Sequence, residues 1–213
     1  MSEATSSRLC ISADRRTEAH LDRDSVLTIF KDCGAILEGH FLLSSGQHSD
    51  RYLQCALVQQ YPEKLETLCE ALAGEWSSEA PTVVLGPAMG GIVLAYEVAR
   101  QLGVRGLFME RTERGFELRR GFAIGPEDRV LVAEDVVTTG KSVKEVLTVV
   151  HETGCSVIGV TSLICRNPTV DFGVPYKALA TIEVASYAAD ACPLCKAGSR
   201  PVKPGSRPKA EES

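Results

Sequence analysis

The chain has 213 residues, 44% of them apolar and 24% charged, with a formal net charge of −5. That length fits one domain with a small appendage, and the apolar share is enough for a sizeable core. The negative balance argues against a general nucleic-acid binder, no apolar run is long enough to span a membrane, and the first residues lack the apolar stretch of a secretory signal, so the expected location is the cytoplasm.

Residues 1–20 are polar without a sustained period and read as a mobile extension. An amphipathic helix is expected from Asp22 or Asp24, with Val26, Leu27, Ile29 and Phe30 on its apolar side and Gly34 ending it. In residues 39–56, Phe41 to Leu43 and Tyr52 to Leu53 read as two short strands around a Ser-Ser-Gly turn. Glu63 to Trp76 is a helix with Leu65, Leu68, Leu72 and Trp76 on one side, and Pro62 suits its first turn. Thr82 to Gly86 is the first core strand. The loop GPAMGG, Gly86 to Gly91, follows it, then a helix through about Leu102. The loop is not G-x-G-x-x-G, so the sequence does not support a dinucleotide site. Arg105 to Met109 is the second core strand. Residues 110–122 then crowd Arg111, Arg114, Arg119 and Arg120 beside Glu110, Glu113 and Glu117, either a solvated, charge-balanced hairpin or a lid that contacts phosphate.

The most informative stretch is RVLVAEDVVTTGKS, Arg129 to Ser142. Val130, Leu131 and Val132 read as a buried strand that ends in two acids, Glu134 and Asp135. Thr138, Thr139 and Gly140 form a turn, and Val143, Val146, Leu147 and Val150 mark one face of a helix. Acids at the carboxyl end of a strand and a turn that opens a helix stand where open α/β sheets bind ligands. Amides from Thr138 to Ser142, with the helix dipole, favour a phosphate, and the hydroxyls of Thr138, Thr139 and Ser142 add donors. Two carboxylates repel a phosphate but accept from the vicinal hydroxyls of a ribose. Together they describe a ribose-5-phosphate site. A Walker A motif is excluded, because Asp135 stands where its first glycine is needed.

Ser156 to Ile164 is a further apolar strand that ends at Cys165-Arg166, so Arg166 faces the same sheet edge as the phosphate loops. A loop runs from Asn167 to Pro175, and Ala178 to Val184 is the last strand. Residues 191–213 are rich in Pro, Gly and basic residues and read as a tail. Six of the eight cysteines, Cys10, Cys33, Cys55, Cys69, Cys155 and Cys165, are scattered and read as small apolar residues in a reducing compartment. Cys192 and Cys195 form a C-x-x-C, half of a zinc site. No second pair or histidine follows, the last histidine being His151, so a packed pair is the reading favoured over a zinc or redox role. The alternation from Thr82 to Ile164 implies an α/β fold, a mainly parallel sheet with helices on both faces.

EDVVTTGKS closely resembles the phosphoribosyl-diphosphate signature of type I phosphoribosyltransferases, and its V-x-T-T-G-x-S is most similar to the orotate-specific branch. The resemblance covers roughly Asp22 to Tyr187. It implies a phosphoribosyltransferase domain over residues 21–190, with a core at about 82–185 and residues 39–56 as a small N-terminal hood over the carboxyl edge of the sheet. The implied activity is a glycosyltransferase step in pyrimidine biosynthesis, transfer of ribose 5-phosphate from 5-phosphoribosyl 1-diphosphate to orotate. Glu134 and Asp135 hold the ribose hydroxyls in this reading, and Val136, Val137, Thr138, Thr139, Gly140, Lys141 and Ser142 cradle the 5′-phosphate. The loop with Gly90 and the arginine Arg111 hold diphosphate, and Thr138 and Arg166 contact orotate. Glu134, Asp135 and Arg111 are the candidate catalytic residues. Mg²⁺ is the implied cofactor, held mainly through substrate and water with no direct side-chain ligand. The implied partner is a second copy of the chain, with the 110–122 lid reaching the neighbouring site. No nucleic acid or membrane is expected. Two departures stand out: Ser44 occupies a position that is often lysine, and the lid contains neither lysine nor histidine. A purine-type phosphoribosyltransferase and a non-catalytic sensor of the diphosphate are the alternatives.

Overall fold

The computed structural model describes residues 21–43 and 45–204. The expected extension at 1–20, the substituted lysine position at Ser44 and the end of the tail lie outside the described residues. Helix α1 spans Arg23–Asp32, and the Asp22 side chain accepts from the Ser25 N–H at 2.8 Å, which caps one of the orphan amides. Strands β1 (Ile36–Leu42) and β2 (His48–Leu53) form the antiparallel hairpin expected near 39–56. A short helix α2 (Ala56–Gln59) precedes α3 (Pro62–Trp76), which has Pro62 in its first turn.

The core alternates as the sequence implies. Strand β3 (Val83–Pro87) leads to α4 (Gly90–Leu102) and β4 (Arg105–Thr112), and β5 (Gly115–Leu118) turns back along β4. Then come β6 (Arg129–Val137), α5 (Lys141–Glu152), β7 (Ser156–Cys165) and β8 (Tyr176–Thr181). The six strands lie in the order β5-β4-β3-β6-β7-β8, parallel except for β5. Chain order reverses between β3 and β6, because β4 lies on one side of β3 and β6 on the other. That is the topological switch point, where open sheets leave a crevice beyond the carboxyl ends of their strands.

Alternate strand residues serve the two faces. Val84, Leu131 and Leu163 join α1, α3 and α4 in one core, and Val83, Val130 and Val132 join α5 and Phe172 in the other. The α5 stripe of Val143, Val146, Leu147 and Val150 is buried as its spacing predicts. Cys55, Cys69 and Cys165 are buried, and Cys33 and Cys155 are partly so. Burial pushes the Cys55 and Cys69 thiols up, as suits packing residues rather than reactive ones.

The C-terminal segment departs most from its expected form. Strand β9 (Ser186–Tyr187) pairs antiparallel with β2, so the hood has three strands. Beyond it, a four-residue helix α6 (Pro193–Lys196) follows, and Val202 bonds to β1 on both sides: its N–H donates to His40 O (2.8 Å) and its O accepts from Leu42 N–H (2.9 Å). Residues 191–204, read as tail, are therefore part of the hood, and the boundary after residue 190 falls inside that unit. Local composition conceals this, because the contacts of the segment lie some 150 positions upstream.

Candidate active site

The crevice at the switch point lies between the ends of β3 and β6. Strand β6 continues past the apolar run and carries both acids before ending at Val137. Glu134 is 9% exposed and Asp135 somewhat more open. Burial raises the pKa of both carboxyls. The neighbouring Asp135 charge raises Glu134 further, and the Val136 N–H donating to Asp135 Oδ1 at 2.7 Å restrains Asp135. Both carboxyls therefore hold a proton more readily than exposed ones, Glu134 more so than Asp135.

Gly140 caps α5 in the left-handed region at φ +74°. A Cβ there would approach Val170 and Phe172 to 2.7 and 2.8 Å, so the turn needs glycine for conformation and for space. Glu134 and residues 136–143 line a small open depression of about 50 Å³. Thr138 and Thr139 are exposed at its rim. The first amides of α5 have no intrahelical acceptor, which suits a phosphate.

The loop after β3 faces the acid pair across the crevice. A Cβ on Gly90 would come within 2.5 Å of Asp135 Oδ2, so the acid lies directly against this loop. The Ala88–Met89 peptide bond is cis. Not every amide of this loop is available to hold diphosphate, because Ala88 N–H donates to Met109 O at 2.8 Å. Gly90 and Gly91 open α4, whose first amides keep that capacity.

The 110–122 segment differs from a free loop. Glu110 to Thr112 complete β4 and Gly115–Leu118 form β5, so sheet pairing holds most of it. The solvated-hairpin reading describes Arg119 and Arg120, which pair with Glu110 at 3.4 and 2.6 Å. Arg111 behaves differently. Its guanidinium lies 4.2 Å over the Phe116 ring and 2.8 Å from Glu145 on α5. That carries a permanent cation to the helix that begins at the phosphate turn.

Arg166 follows β7 at the same edge, its N–H donating to Val137 O at 2.8 Å. It is half-buried, burial lowers its pKa, and its Nε is buried without a hydrogen-bond partner. Such a donor matches an anionic group arriving in the crevice. The tyrosine Tyr52, from the hood strand β2, is close enough that Asp135 raises its pKa and Arg166 opposes that, second to burial. The hood therefore reaches the crevice. The crevice thus brings together the acid pair, the α5 turn, Gly90 and Arg166, with Arg111 beside α5. Arg119 and Arg120 are engaged by Glu110, and Arg114 lies in the β4–β5 turn, where its N–H donates to Thr112 Oγ1. Sequence reasoning passed over Glu145, which orients Arg111, and Gln59, which donates to Gly90 O at 2.9 Å. The i,i+4 pair of Lys141 with Glu145 was the one local signal available.

Comparison with known proteins agrees with this geometry. The phosphoribosyl transferase domain family matches residues 59–171. The chain is 55% identical over 188 residues to the orotate phosphoribosyltransferase of Pelotomaculum thermopropionicum, covering 88% of this chain and 99% of that one. The corresponding enzyme of Caldanaerobacter subterraneus is 52% identical over 188 residues, covering 88% and 99%. Among solved structures, orotate phosphoribosyltransferase from Aeropyrum pernix superposes with a TM-score of 0.63 at 25% identity, covering 74% of this chain and 93% of that one. With a mainly parallel α/β core, a phosphate turn below an acid pair and relatives matched along nearly their full length, this chain belongs to the orotate phosphoribosyltransferase family.

Proposed function

We propose that the protein transfers ribose 5-phosphate from 5-phosphoribosyl 1-diphosphate to orotate, giving orotidine 5′-phosphate and diphosphate. The observation that carries the choice of base is Arg166, a half-buried cation with an unpartnered Nε at the edge of the crevice. A carboxylate on the base satisfies it, whereas a neutral purine leaves it unpaired. Thr138, at the rim, supplies a further contact to the base.

In this reading Glu134 and Asp135 accept from the ribose hydroxyls, and the α5 turn from Val136 to Ser142 takes the 5′-phosphate. Arg111 stabilises charge on the departing diphosphate, and since arginine keeps its proton its part is electrostatic. Gly90 lets the loop after β3 approach the diphosphate. The bond from the ribose anomeric carbon to diphosphate oxygen breaks as the bond to the orotate ring nitrogen forms. Orotate arrives as an anion, so no strong base is needed, and catalysis consists of placement plus stabilisation of an oxocarbenium-like centre. Mg²⁺ prefers oxygen donors and keeps several waters, so it would be carried largely by substrate and water, with the crowded carboxylates of Glu134 and Asp135 facing it rather than ligating it directly. When bound it would offset the diphosphate charge.

A homodimer belongs to the same proposal. Met89, just before α4, and Val93 and Tyr96 within it follow the i, i+4, i+7 rhythm and are 81%, 45% and 65% exposed, an apolar stripe running from the loop after β3. The 110–122 hairpin, at the sheet edge, is then the segment offered to the neighbouring site.

The test is the fall in orotate absorbance with the diphosphate and Mg²⁺, with adenine, guanine and xanthine in parallel. Turnover of orotate alone is expected. Arg166→Met should raise KM for orotate at least tenfold, the loss of a charge-assisted bond worth about 1.5–3 kcal/mol, and leave the affinity for the diphosphate within about twofold. Turnover of a purine instead would overturn the reading.

A further inference from the structure

We infer that His40, His48, Cys192 and Cys195 bind a structural zinc ion that fastens the C-terminal segment to the hood. His40 lies in β1, His48 begins β2, Cys192 caps α6 and Cys195 lies within it. Their four ligand atoms lie within 4.8 Å of one another. His40 Nε2 is 3.1 Å from His48 Nδ1 and 3.5 and 3.8 Å from the sulfurs of Cys192 and Cys195, and His48 Nδ1 is 3.3 Å from Cys195 Sγ. A tetrahedron with ordinary zinc bonds to nitrogen and sulfur has edges of about 3.3 Å between nitrogens and about 3.6 Å from nitrogen to sulfur. The spacings from His40 Nε2, and that from His48 Nδ1 to Cys195 Sγ, lie close to those edges, and the others stay within 4.8 Å.

The surroundings suit such a site. Both histidines and Cys192 are buried, and Cys195 is partly so. Without a cation, two imidazole nitrogens and two thiols point at one another with few protons to share, and sulfur is a poor hydrogen-bond partner. With zinc, two thiolates and two neutral imidazoles give a cluster of zero net charge, which costs least to bury. Binding releases two thiol protons to solvent. The second nitrogen of His40, Nδ1, lies 3.2 Å from Ser199 Oγ, so metal on Nε2 leaves Nδ1–H to donate to that hydroxyl and fix the ring. Past Cys195 the backbone folds tightly: Lys196 N–H donates to Cys192 O at 3.2 Å and Gly198 N–H to Cys195 O at 2.9 Å, with Gly198 at φ +84°. Four protein donors leave no open position, so the site is structural rather than catalytic. Soft sulfur and borderline nitrogen donors in this geometry favour zinc over Mg²⁺. The clasp joins the pairing of β9 with β2 and of Val202 with β1, and β2 carries Tyr52 into the crevice.

The experiment uses the full chain, purified under reductant without chelator. Elemental analysis should find one zinc per chain. Titration of the metal-free chain with Co²⁺ should end at one equivalent, with strong visible bands of a tetrahedral ion and a near-ultraviolet thiolate band. Cys192→Ser and Cys195→Ser should lose the metal and Cys155→Ser keep it. Because loss of a structural metal can unfold the cysteine variants, the cobalt titration of the unmodified chain decides by itself. Absence of stoichiometric metal in the reduced chain, a cobalt spectrum without thiolate bands, a Cys192–Cys195 disulfide that persists in reductant, or full retention by the double serine variant would each overturn the site. None of these readouts depends on phosphoribosyl transfer.

Discussion

Glu134 and Asp135 are neighbours in sequence with different surroundings: each takes one backbone amide, at 3.1 Å for Glu134 and 2.7 Å for Asp135, but Glu134 is the more buried and Asp135 lies against Gly90. The Glu134 pKa is higher folded than unfolded, so the ligand-free chain takes up a proton on folding between those two values. Its stability falls as pH rises from the ordinary carboxylate range, about 4.3, to the folded value, and Glu134→Gln removes that part of the dependence. Hydroxyls donate to carboxylates, so ligand selects the ionised pair and binding expels the proton. Calorimetry of diphosphate binding inside that interval, in two buffers of different ionisation enthalpy, should show proton release that Glu134→Gln reduces. The same variant should bind about tenfold to a hundredfold more weakly, as loss of a bond to a charged group implies. Equal proton release by both chains would remove Glu134 from the linkage. At this scale the shared position of the acids and hydroxyls was legible because they are adjacent in sequence, and that of Arg166 because it ends the next strand of the same sheet. Glu145 and Gln59 were not, since each acts on a partner that only folding brings near.

Between elements, the contact of α3 with β7 is set by one glycine. The Trp76 ring occupies the space above Gly159, and a Cβ there would overlap its Cη2 atom and come within 2.8 Å of Pro175 O. Lys177 adds its ammonium 4.8 Å from the same ring. Gly159→Ala should destabilise the chain by about 1–3 kcal/mol, the usual cost of overpacking a core. Urea midpoints check this, and in a Trp76→Phe background the cost should shrink, because the smaller ring leaves room. An unchanged midpoint would mean that the helix shifts freely. Helix and strand positions were read closely from periodicity, most sharply in α5. Strand β9 was missed because two residues carry no period, and β6 runs longer than its apolar run because β7 pairs with it past the acids, as far as Val137.

For the molecule as a whole, the exposed stripe on α4 and the clasped hood matter most. Tyr96→Glu places a charge in the apolar stripe and should turn a dimer into a monomer by light scattering, with lowered turnover if the 110–122 hairpin completes the neighbouring site. A chain that is monomeric before the change would discard the dimer. The zinc clasp belongs to this scale too, because it joins residues 40 and 48 to residues 192 and 195.

By itself the sequence determined the alternating core, the turn that opens α5 after the acids, and the family, because each depends on residues within one strand–turn–helix unit. Tertiary structure alone decided three things. It used up the Ala88 amide with Met109, and it paired the arginine-rich segment into the sheet edge instead of leaving it a loop. It also brought two histidines from the first hairpin to a C-x-x-C near the other end, although no histidine follows that motif in sequence. The reason is common to all three. Pattern along a chain reports the neighbours that a residue has within a few positions, whereas the groups that satisfy an amide, a guanidinium or a thiol are chosen by proximity in space, across any number of residues.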